Sequence, residues 1–311
     1  MNSGKLKNAA GPIFVVSAGI LWGMIGIFVR RLNGYGLDSM QVVAVRVAFA
    51  AILTAIVLTV KDRSLFRIRL KDLWCFIGTG VCSIAFFNFC YFKTISLTSL
   101  SAAAVLLYTA PVMVMIMSVF LFKEKMNAAK IAAAVAAFAG CALASGIAEG
   151  DFSLTGSGLL TGLGSALGYA LYSIFGRYAL DRGYGSLTIT FYTFVFAALA
   201  VIPLSNPAEL AEKISLAPQI LPVGAAMGAV VTVLPYLLYT AGLSRTEPGK
   251  ASVMASSEPA AAAAVGAICF GESLDLAGAA GIALVILSVA LLNLKFPKGL
   301  KKGDRKHSYS R

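Results

Sequence analysis

The stretch Tyr91–Glu124, YFKTISLTSLSAAAVLLYTAPVMVMIMSVFLFKE, has a counterpart in Tyr239–Glu272, YTAGLSRTEPGKASVMASSEPAAAAAVGAICFGE. The two stretches align without a gap at an offset of 148 positions. Identical residues coincide at positions that include Tyr91/Tyr239, Ser96/Ser244, Ala103/Ala251, Pro111/Pro259, Phe122/Phe270 and Glu124/Glu272. Near the start of each half, at an offset of 147, the matched pairs are Trp22/Tyr169, Phe28/Phe175 and Arg30/Arg177. The chain therefore repeats itself once.

The composition of the chain is that of a membrane protein. Of its 311 residues, 59% are hydrophobic and 13% are charged, and the mean hydropathy is +0.83, which excludes a soluble domain. Charges and turn residues separate ten apolar stretches, at about 11–29, 39–60, 73–91, 101–121, 129–147, 157–176, 186–204, 219–241, 251–270 and 276–294. Each must be a helix, because unpaired backbone amides are costly in hydrocarbon and the stretches lack the alternation of barrel strands.

The positive charges between these stretches mark one side of the membrane. If both termini are cytoplasmic, 21 of the 26 Lys and Arg residues lie in cytoplasmic segments, and only Arg30, Arg31, Lys93 and Lys213 lie on the other side. The positive-inside rule therefore predicts cytoplasmic N- and C-termini. The basic tail 295–311 is expected to contact anionic lipid headgroups. The net charge of +12 is dispersed between apolar stretches, unlike the basic face of a nucleic-acid-binding domain.

The repeat predicts how the chain is divided. We expect a first repeat at 1–147, a second at 157–294 and a cytoplasmic tail at 295–311. Each repeat carries five spans, and because five is odd, the second repeat enters the membrane with the opposite orientation. Inverted repeats are typical of secondary transporters, in which two equivalent halves alternate access to a site near the midplane. The predicted fold is an all-α integral membrane protein with ten transmembrane helices, arranged as two inverted five-helix repeats around a central cavity.

Three motifs resemble those of the EamA family of the drug/metabolite transporter superfamily. They are Arg46 within VRVAFAAIL in the second span, Pro111 within TAPVMVMIMSVFLFKE in the fourth, and Glu258-Pro259 within SSEPAAAAAVGAICFGE in the ninth. With the ten-span repeat, the resemblance covers about residues 11–294. It implies a basket-like helical fold with a central cavity, often used to export amino acids or other small metabolites.

Arg46 and Glu258 are the only ionisable residues well inside the predicted spans. A charge at the bilayer centre costs at least about 2.5–3.5 kcal/mol, so such residues usually face a cavity or a partner. Each lies about 10 Å deep from opposite faces of the membrane, which separates their backbones by about 10 Å in height. Two interpretations stay open: a structural ion pair, or a small zwitterion bound between them. The first half has Ala110 where the second has Glu258, so carboxylate chemistry is confined to the second half.

Pro111 and Pro259 interrupt the fourth and ninth spans at equivalent positions. Because proline has no backbone donor, the carbonyls of Leu107 and Ala255 lose their helical partners. Equivalent breaks in both halves favour helix-break or gating positions that line a wet cavity. A kink that only curves each helix around its neighbours is the alternative.

Other residues inside the spans have a polar tip, and a buried tip requires a hydrogen-bond partner. These residues are Trp22, Asn88, Tyr91, Tyr108, Tyr169 and Tyr236. Singly, each is more typical of packing or of an interfacial belt, but Trp22 and Tyr169 occupy equivalent positions in the repeat. Together with Arg46 and Glu258, the candidate substrate-binding residues are Trp22, Tyr169, Asn88, Tyr108 and Tyr236.

The sequence contains no constellation typical of an enzyme. Its one histidine, His307, lies in the basic tail, and the five cysteines lie in apolar stretches without metal-ligand spacing. No Walker loop is present, so this chain alone cannot use ATP directly. We therefore expect no catalytic residues, no metal and no cofactor.

The predicted function is secondary transport by alternating access in the cytoplasmic, or inner, membrane. The expected substrates are small polar metabolites, most plausibly amino acids or related compounds moved outward, with a coupling proton as a further partner. Two alternatives stay open. One is export of amphipathic drug-like or lipid-linked solutes, and the other is a non-transporting receptor or complex subunit.

Overall fold

The structure is a computed structural model that describes residues 3–145, 155–271 and 275–293. Within these ranges the regular secondary structure is helical. Outside them lie the predicted loop residues Glu149, Asp151 and Glu272 and the basic tail 295–311. The fold is an all-α membrane protein, as the sequence predicts.

Ten membrane helices, numbered α1 to α10, make up the described chain. The first half contributes α1 (α1a, Ser3–Gly23; α1b, Ile25–Asn33), α2 (Ser39–Lys61), α3 (Leu70–Leu97), α4 (α4a, Leu100–Leu107; α4b, Ala110–Phe122) and α5 (Ala128–Ala144). The second contributes α6 (Gly156–Asp181), α7 (Ser186–Val201), α8 (Ile220–Leu243), α9 (α9a, Pro248–Ala255; α9b, Ser257–Phe270) and α10 (Leu276–Asn293). Eight are long and apolar enough to cross a membrane, and α5 and α10 are shorter apolar helices.

Three details differ from the predicted spans. The first helix breaks at Met24, where the sequence shows no proline, and continues to Asn33. The third helix extends beyond the predicted 73–91 at both ends. A short helix, Pro207–Leu216, lies in the segment predicted as a loop between the seventh and eighth spans. A proline in its first turn, where the backbone N–H has no helical partner in any case, explains why this helix can begin there.

Each half of the chain packs against the other half through equivalent helices. Helix α1 of the first half packs against α8 and α9 of the second, and α6 packs in the equivalent way against α3 and α4. Helix α2 packs against its counterpart α7, and α5 against α10. This reciprocal packing is what two inverted five-helix repeats require, and it brings α1, α4, α6 and α9 towards one centre.

Two irregularities recur in both halves. Helices α4 and α9 are each broken into a short first part and a longer second part. Helices α3 and α8 each contain a π-helical stretch, Gly78–Ala85 and Ala229–Val233, which overlap when the repeat is superposed on the sequence. In the second of these, the Thr232 hydroxyl donates to the Met227 carbonyl five residues earlier at 3.0 Å. Such π turns are frequent at functional sites.

Gly19 and Gly23 allow α1a to approach the break of α9 closely. A Cβ atom at Gly19 would lie 2.9 Å from the Ala255 carbonyl oxygen, and one at Gly23 would lie 2.7 Å from the Glu258 carbonyl oxygen. Small residues of this kind let membrane helices come into backbone contact. The break of α9 is therefore covered on one side by α1a.

The loops 62–69, 123–127, 182–185 and 244–247 lie at one end of the bundle, which we call the basic end. Asp72, at the start of α3, is buried there and accepts hydrogen bonds from Arg69 Nε (2.6 Å), Arg182 Nε (3.1 Å) and the Tyr184 hydroxyl (2.8 Å). These bonds join the α2–α3 and α6–α7 connections. A buried carboxylate needs such partners to remain ionised.

A second charged cluster at the basic end joins α4, α5 and α9. The Lys130 ammonium lies 2.7 Å from Glu124 and 2.9 Å from Glu247, and the side chains of Lys130 and Glu124 are 4% and 3% exposed. Glu124 also accepts from the Gly249 backbone N–H at 3.2 Å. Burial acts to raise the pKa of the Glu247 carboxyl, but the bond from Lys130 and the charges of Lys250 and Lys130 hold that pKa below its usual value. The cluster fixes the end of α4b to the start of α9a.

Candidate substrate site

Arg46 lies in the first half of α2 with 8% of its surface exposed. Its Nε is buried without a hydrogen-bond partner in the described part of the chain. Tyr236 and Glu258 lie within electrostatic range of the Arg46 guanidinium. Among the described residues, however, no ion pair within 4.0 Å joins Arg46 to Glu258. A guanidinium cannot lose its proton in a protein, so burial leaves its donors in need of an acceptor.

Glu258 lies in the first turn of α9b, at the break of the helix. It is partly buried, and its Oε2 accepts a hydrogen bond from the Tyr169 hydroxyl of α6 at 3.0 Å. The N-terminus of a helix favours a negative charge, because its backbone N–H groups lack helical partners. The position therefore suits a carboxylate that can change its partner or its proton.

Aromatic rings surround these two charged groups. Trp22 meets Tyr236 edge-on with ring centroids 5.1 Å apart, and lies 6.5 Å from the ring of Tyr169. On the other side of Tyr169, the ring of Phe87 is 5.6 Å away. Three of the predicted residues, Trp22, Tyr169 and Tyr236, are thus brought together beside Arg46 and Glu258.

The remaining two predicted polar residues differ in placement. Tyr108 lies in the break of α4. Helix α4b packs against α9a, so the two broken helices lie side by side. Asn88 is buried on α3, and its Nδ2 donates to the Ile84 carbonyl of the same helix at 2.7 Å. That donor is therefore occupied within α3.

The prolines lie in the first turns of the second helix parts. Pro111 belongs to the first turn of α4b, and Pro259 to that of α9b. The preceding parts end at Leu107 and Ala255, the residues whose carbonyls the prolines deprive of partners. At the α9 break, the Cys141 thiol of α5 lies 3.8 Å from the Ser256 carbonyl oxygen, within hydrogen-bonding distance for sulfur.

Several side chains near the site were missed or underrated by sequence reasoning. Phe87 and Cys141 carry no signal in the sequence, because an apolar or small residue in a span is ordinarily packing. Tyr91, the repeat equivalent of Tyr239, lies within electrostatic range of Glu258. Away from the site, at the basic end, the sequence indicated Lys130 only as a loop charge, although its side chain is buried. Within the described ranges, no group of three or more potential metal ligands is present.

Comparison with known proteins supports this architecture. The EamA-like transporter family matches residues 9–146 and 156–294. An uncharacterized transporter of Archaeoglobus fulgidus is 27% identical over 294 residues, covering 90% of this chain and 95% of the relative. The uncharacterized transporter YxxF of Bacillus subtilis is 27% identical, with 93% and 91% covered. The uncharacterized inner membrane transporter YhbE of Escherichia coli is 26% identical over 214 residues, 67% of this chain and 66% of the relative.

A solved crystal structure has the same fold. Its TM-score is 0.76 at 18% sequence identity, and the alignment covers 92% of this chain and 96% of the other. At this identity the likeness concerns the fold alone.

Proposed function

Because this chain belongs to the EamA-like transporter family, we propose that it exports small zwitterionic metabolites, amino acids or related compounds, across the cytoplasmic membrane. The chain is a multi-pass membrane transporter, and its family is one of transporters rather than enzymes or receptors. The substrate class, the direction and the orientation of the termini belong to the proposal. Its support comes from Arg46 of α2 and from the residues at the break of α9.

The observation that carries the proposal is the buried Arg46 without a hydrogen-bond partner at Nε in the described residues. A planar guanidinium binds a carboxylate with two parallel hydrogen bonds. A substrate carboxylate would supply the acceptor that the described residues do not. This assignment takes the second of the two interpretations of Arg46 and Glu258, in which a small molecule lies between them.

Glu258 would bind the positively charged group of the substrate. Its carboxylate can bind a substrate ammonium group while Tyr169 continues to donate to it, because an ionised carboxylate has four acceptor positions. When no substrate is bound, the same carboxylate can take up a proton, since an ionised acid away from water is unfavourable. Release of that proton on substrate binding would couple transport to the proton gradient.

The helix breaks would allow the two halves to move. Each break removes regular helical hydrogen bonds at the level of Glu258, so α4b and α9b can tilt relative to α4a and α9a. In inverted repeats such broken helices meet at the binding site, and exchange of the two half-structures opens it to either side. The charge asymmetry of the loops supports a cytoplasmic position for the basic end.

A second candidate is favoured by the rings around the site. Trp22 and Tyr236 present aromatic faces and edges within 5.1 Å of each other, which also suits an amphipathic organic cation. Glu258 would then neutralise the cation, and Arg46 would have no direct role.

Flux into proteoliposomes that contain only this chain distinguishes the two candidates. Liposomes are loaded with mixed amino acids, and exchange with labelled amino acids is compared with uptake of labelled organic cations. We expect exchange of zwitterions that is lost in Arg46→Met and kept in Arg63→Met, an exposed arginine at the basic end. Uptake of cations alone, with Arg46→Met unaffected, would replace the first proposal by the second.

A further inference from the structure

A cavity of about 610 Å³ lies at the end of the bundle opposite the basic end. Its walls come from α1b, the first turns of α8 and the end of α9b. The lining residues are Ile27, Phe28, Arg30, Arg31, Pro222, Val223, Ala226 and Phe270. All except the two arginines are apolar, and the volume falls within the range of about 300–1,000 Å³ found for ligand sites. It is distinct from the site at Glu258.

The equivalent space at the basic end is filled by the protein itself. The indole of Trp74 on α3 lies 5.8 Å from the ring of Phe175 and 5.3 Å from that of Tyr178, both on α6. Phe122, at the end of α4b, lies 4.9 Å from Tyr178. These four rings pack against one another between α3, α4b and α6.

Two differences between the halves account for the cavity. By the repeat, Pro222 stands where the other half has Trp74, and Arg31 stands where it has Tyr178. Two large rings are thereby removed, while the remaining wall, including Phe270 as the counterpart of Phe122, is retained. The cavity therefore coincides with two differences in sequence between the halves.

The charged residues at the cavity indicate the kind of ligand that it would bind. Arg30 and Arg31 occupy the last turn of α1b, the depth at which a membrane helix meets the lipid headgroups. The Arg30 guanidinium lies 4.0 Å over the Phe270 ring. The Arg31 guanidinium lies 5.6 Å from the centre of the Tyr35 ring, and among the described residues it forms no ion pair with a carboxylate within 4.0 Å. The wall is thus apolar towards the membrane core and cationic towards its surface.

We propose that this cavity binds an anionic phospholipid, with an acyl chain between α1b and α8 and the phosphate on Arg31. A guanidinium pairs well with a phosphate, and the apolar wall excludes a fully hydrated anion. Leu221 and Ile268, exposed on the flanking helices, continue the lipid-facing surface on both sides. The site goes beyond the transport proposal, because it involves neither Arg46 nor Glu258.

Native mass spectrometry of the purified full chain tests the proposal. The chain is titrated with phosphatidylglycerol, with phosphatidylcholine of the same acyl chains, and with inorganic phosphate. We expect one phosphatidylglycerol to bind before any phosphatidylcholine, and phosphate alone not to bind. Arg31→Gln should weaken phosphatidylglycerol binding roughly tenfold, the effect of losing one charged hydrogen bond. Arg63→Gln, at the other end, should leave it unchanged.

Filling the cavity provides the second arm. Pro222→Trp restores the indole of the other half, and Ala226→Leu fills the same space with less change if the first variant fails to fold. Both should displace the lipid, whereas Leu221→Trp on the adjacent exposed face should not. Equal binding of both lipids, equal effects of Arg31→Gln and Arg63→Gln, or full binding to the filled variants would overturn the proposal. So would a dimer of the chain that Ala226→Leu dissociates, because a second copy would then occupy the cavity.

Discussion

Helices α4 and α9 have the same shape and different chemistry. Their first parts begin and end 148 residues apart, and their second parts begin 147 and end 148 residues apart. Each helix is followed by a left-handed residue, Lys123 (φ 54°) or Gly271 (φ 66°). Yet the first turn after the break contains Ala110 in α4b and Glu258 in α9b. The repeat therefore duplicates the backbone that lines the site, while the carboxylate at the break is present only in the second half. A transporter with one such carboxylate can bind one ammonium group or one proton per cycle.

The largest expected effect concerns this single carboxylate. Glu258→Gln should still insert into the membrane, but exchange in proteoliposomes should fall at least roughly tenfold, because a charged hydrogen bond to the substrate is lost. The exposed Glu212→Gln is the matched control. Full exchange by Glu258→Gln would remove Glu258 from the proposed site.

The chemical difference between α4 and α9 can be tested by moving the carboxylate from position 258 to position 110. Ala110→Glu combined with Glu258→Gln places the carboxylate in α4b, within the apolar cluster that Ala110 forms with Val114 and Ala166. We expect no recovery of exchange, and a lower yield of folded protein, since Ala110 is 1% exposed and a buried acid without partners is costly. Recovery would mean that the two breaks are chemically interchangeable.

The next effect concerns the charged cluster of Lys130, Glu124 and Glu247, which joins α4 to α9. Lys130→Met leaves Glu124 buried without its ion-pair partner, and should destabilise the fold by about 3–5 kcal/mol. The double variant Lys130→Met with Glu124→Gln should recover much of that loss. Thermal unfolding in detergent measures both. Equal melting temperatures for wild type and Lys130→Met would show that the pair contributes nothing.

A smaller effect distinguishes the C-terminal ends of α4b and α9b. Gly271→Ala places a Cβ in open space but in a left-handed conformation, and should destabilise α9b by about 1–2 kcal/mol. Lys123→Gly removes the same strain from α4b, partly offset by the greater freedom of glycine in the unfolded chain, and should stabilise by up to about 1 kcal/mol. The shifts in melting temperature should therefore have opposite signs. Shifts of the same sign would contradict the equivalence of the two ends.

The smallest effect is a dependence on pH at the start of α9a. Because the pKa of Glu247 is held below 4.5, its usual value, its stabilising contribution is present above that pH and is lost as the pH falls below it. Glu247→Gln should lower the melting temperature slightly near neutral pH and make its decline in acid shallower. Parallel acid profiles for the two proteins would show that Glu247 is not responsible.

The sequence was sufficient for the architecture. The 148-residue repeat, the apolar stretches and the prolines gave ten helices, their breaks at Leu107 and Ala255, and the family. The break at Met24 was missed, because nothing in WGMIGIF differs from an ordinary small-residue helix face. Periodicity in a membrane helix is weak, since lipid-facing and buried residues are both apolar.

The candidate site was only partly predictable. Arg46 and Glu258 stand out because charges are rare in spans, and Trp22 with Tyr169 because they are equivalent in the repeat. The sequence could not tell that the donor of Asn88 is used within its own helix, since that depends on the rotamer next to a π turn. Nor could it show that Arg46 and Glu258 remain apart, because their separation is set by the tilt of α2 and α9.

The π stretches of α3 and α8 bear on the history of the chain. A π turn commonly records one residue inserted into an α-helix, and it costs stability unless the surrounding structure favours it. The two stretches, Gly78–Ala85 and Ala229–Val233, overlap in the repeat, which is consistent with one irregularity that was copied. The irregularity would then be older than the duplication.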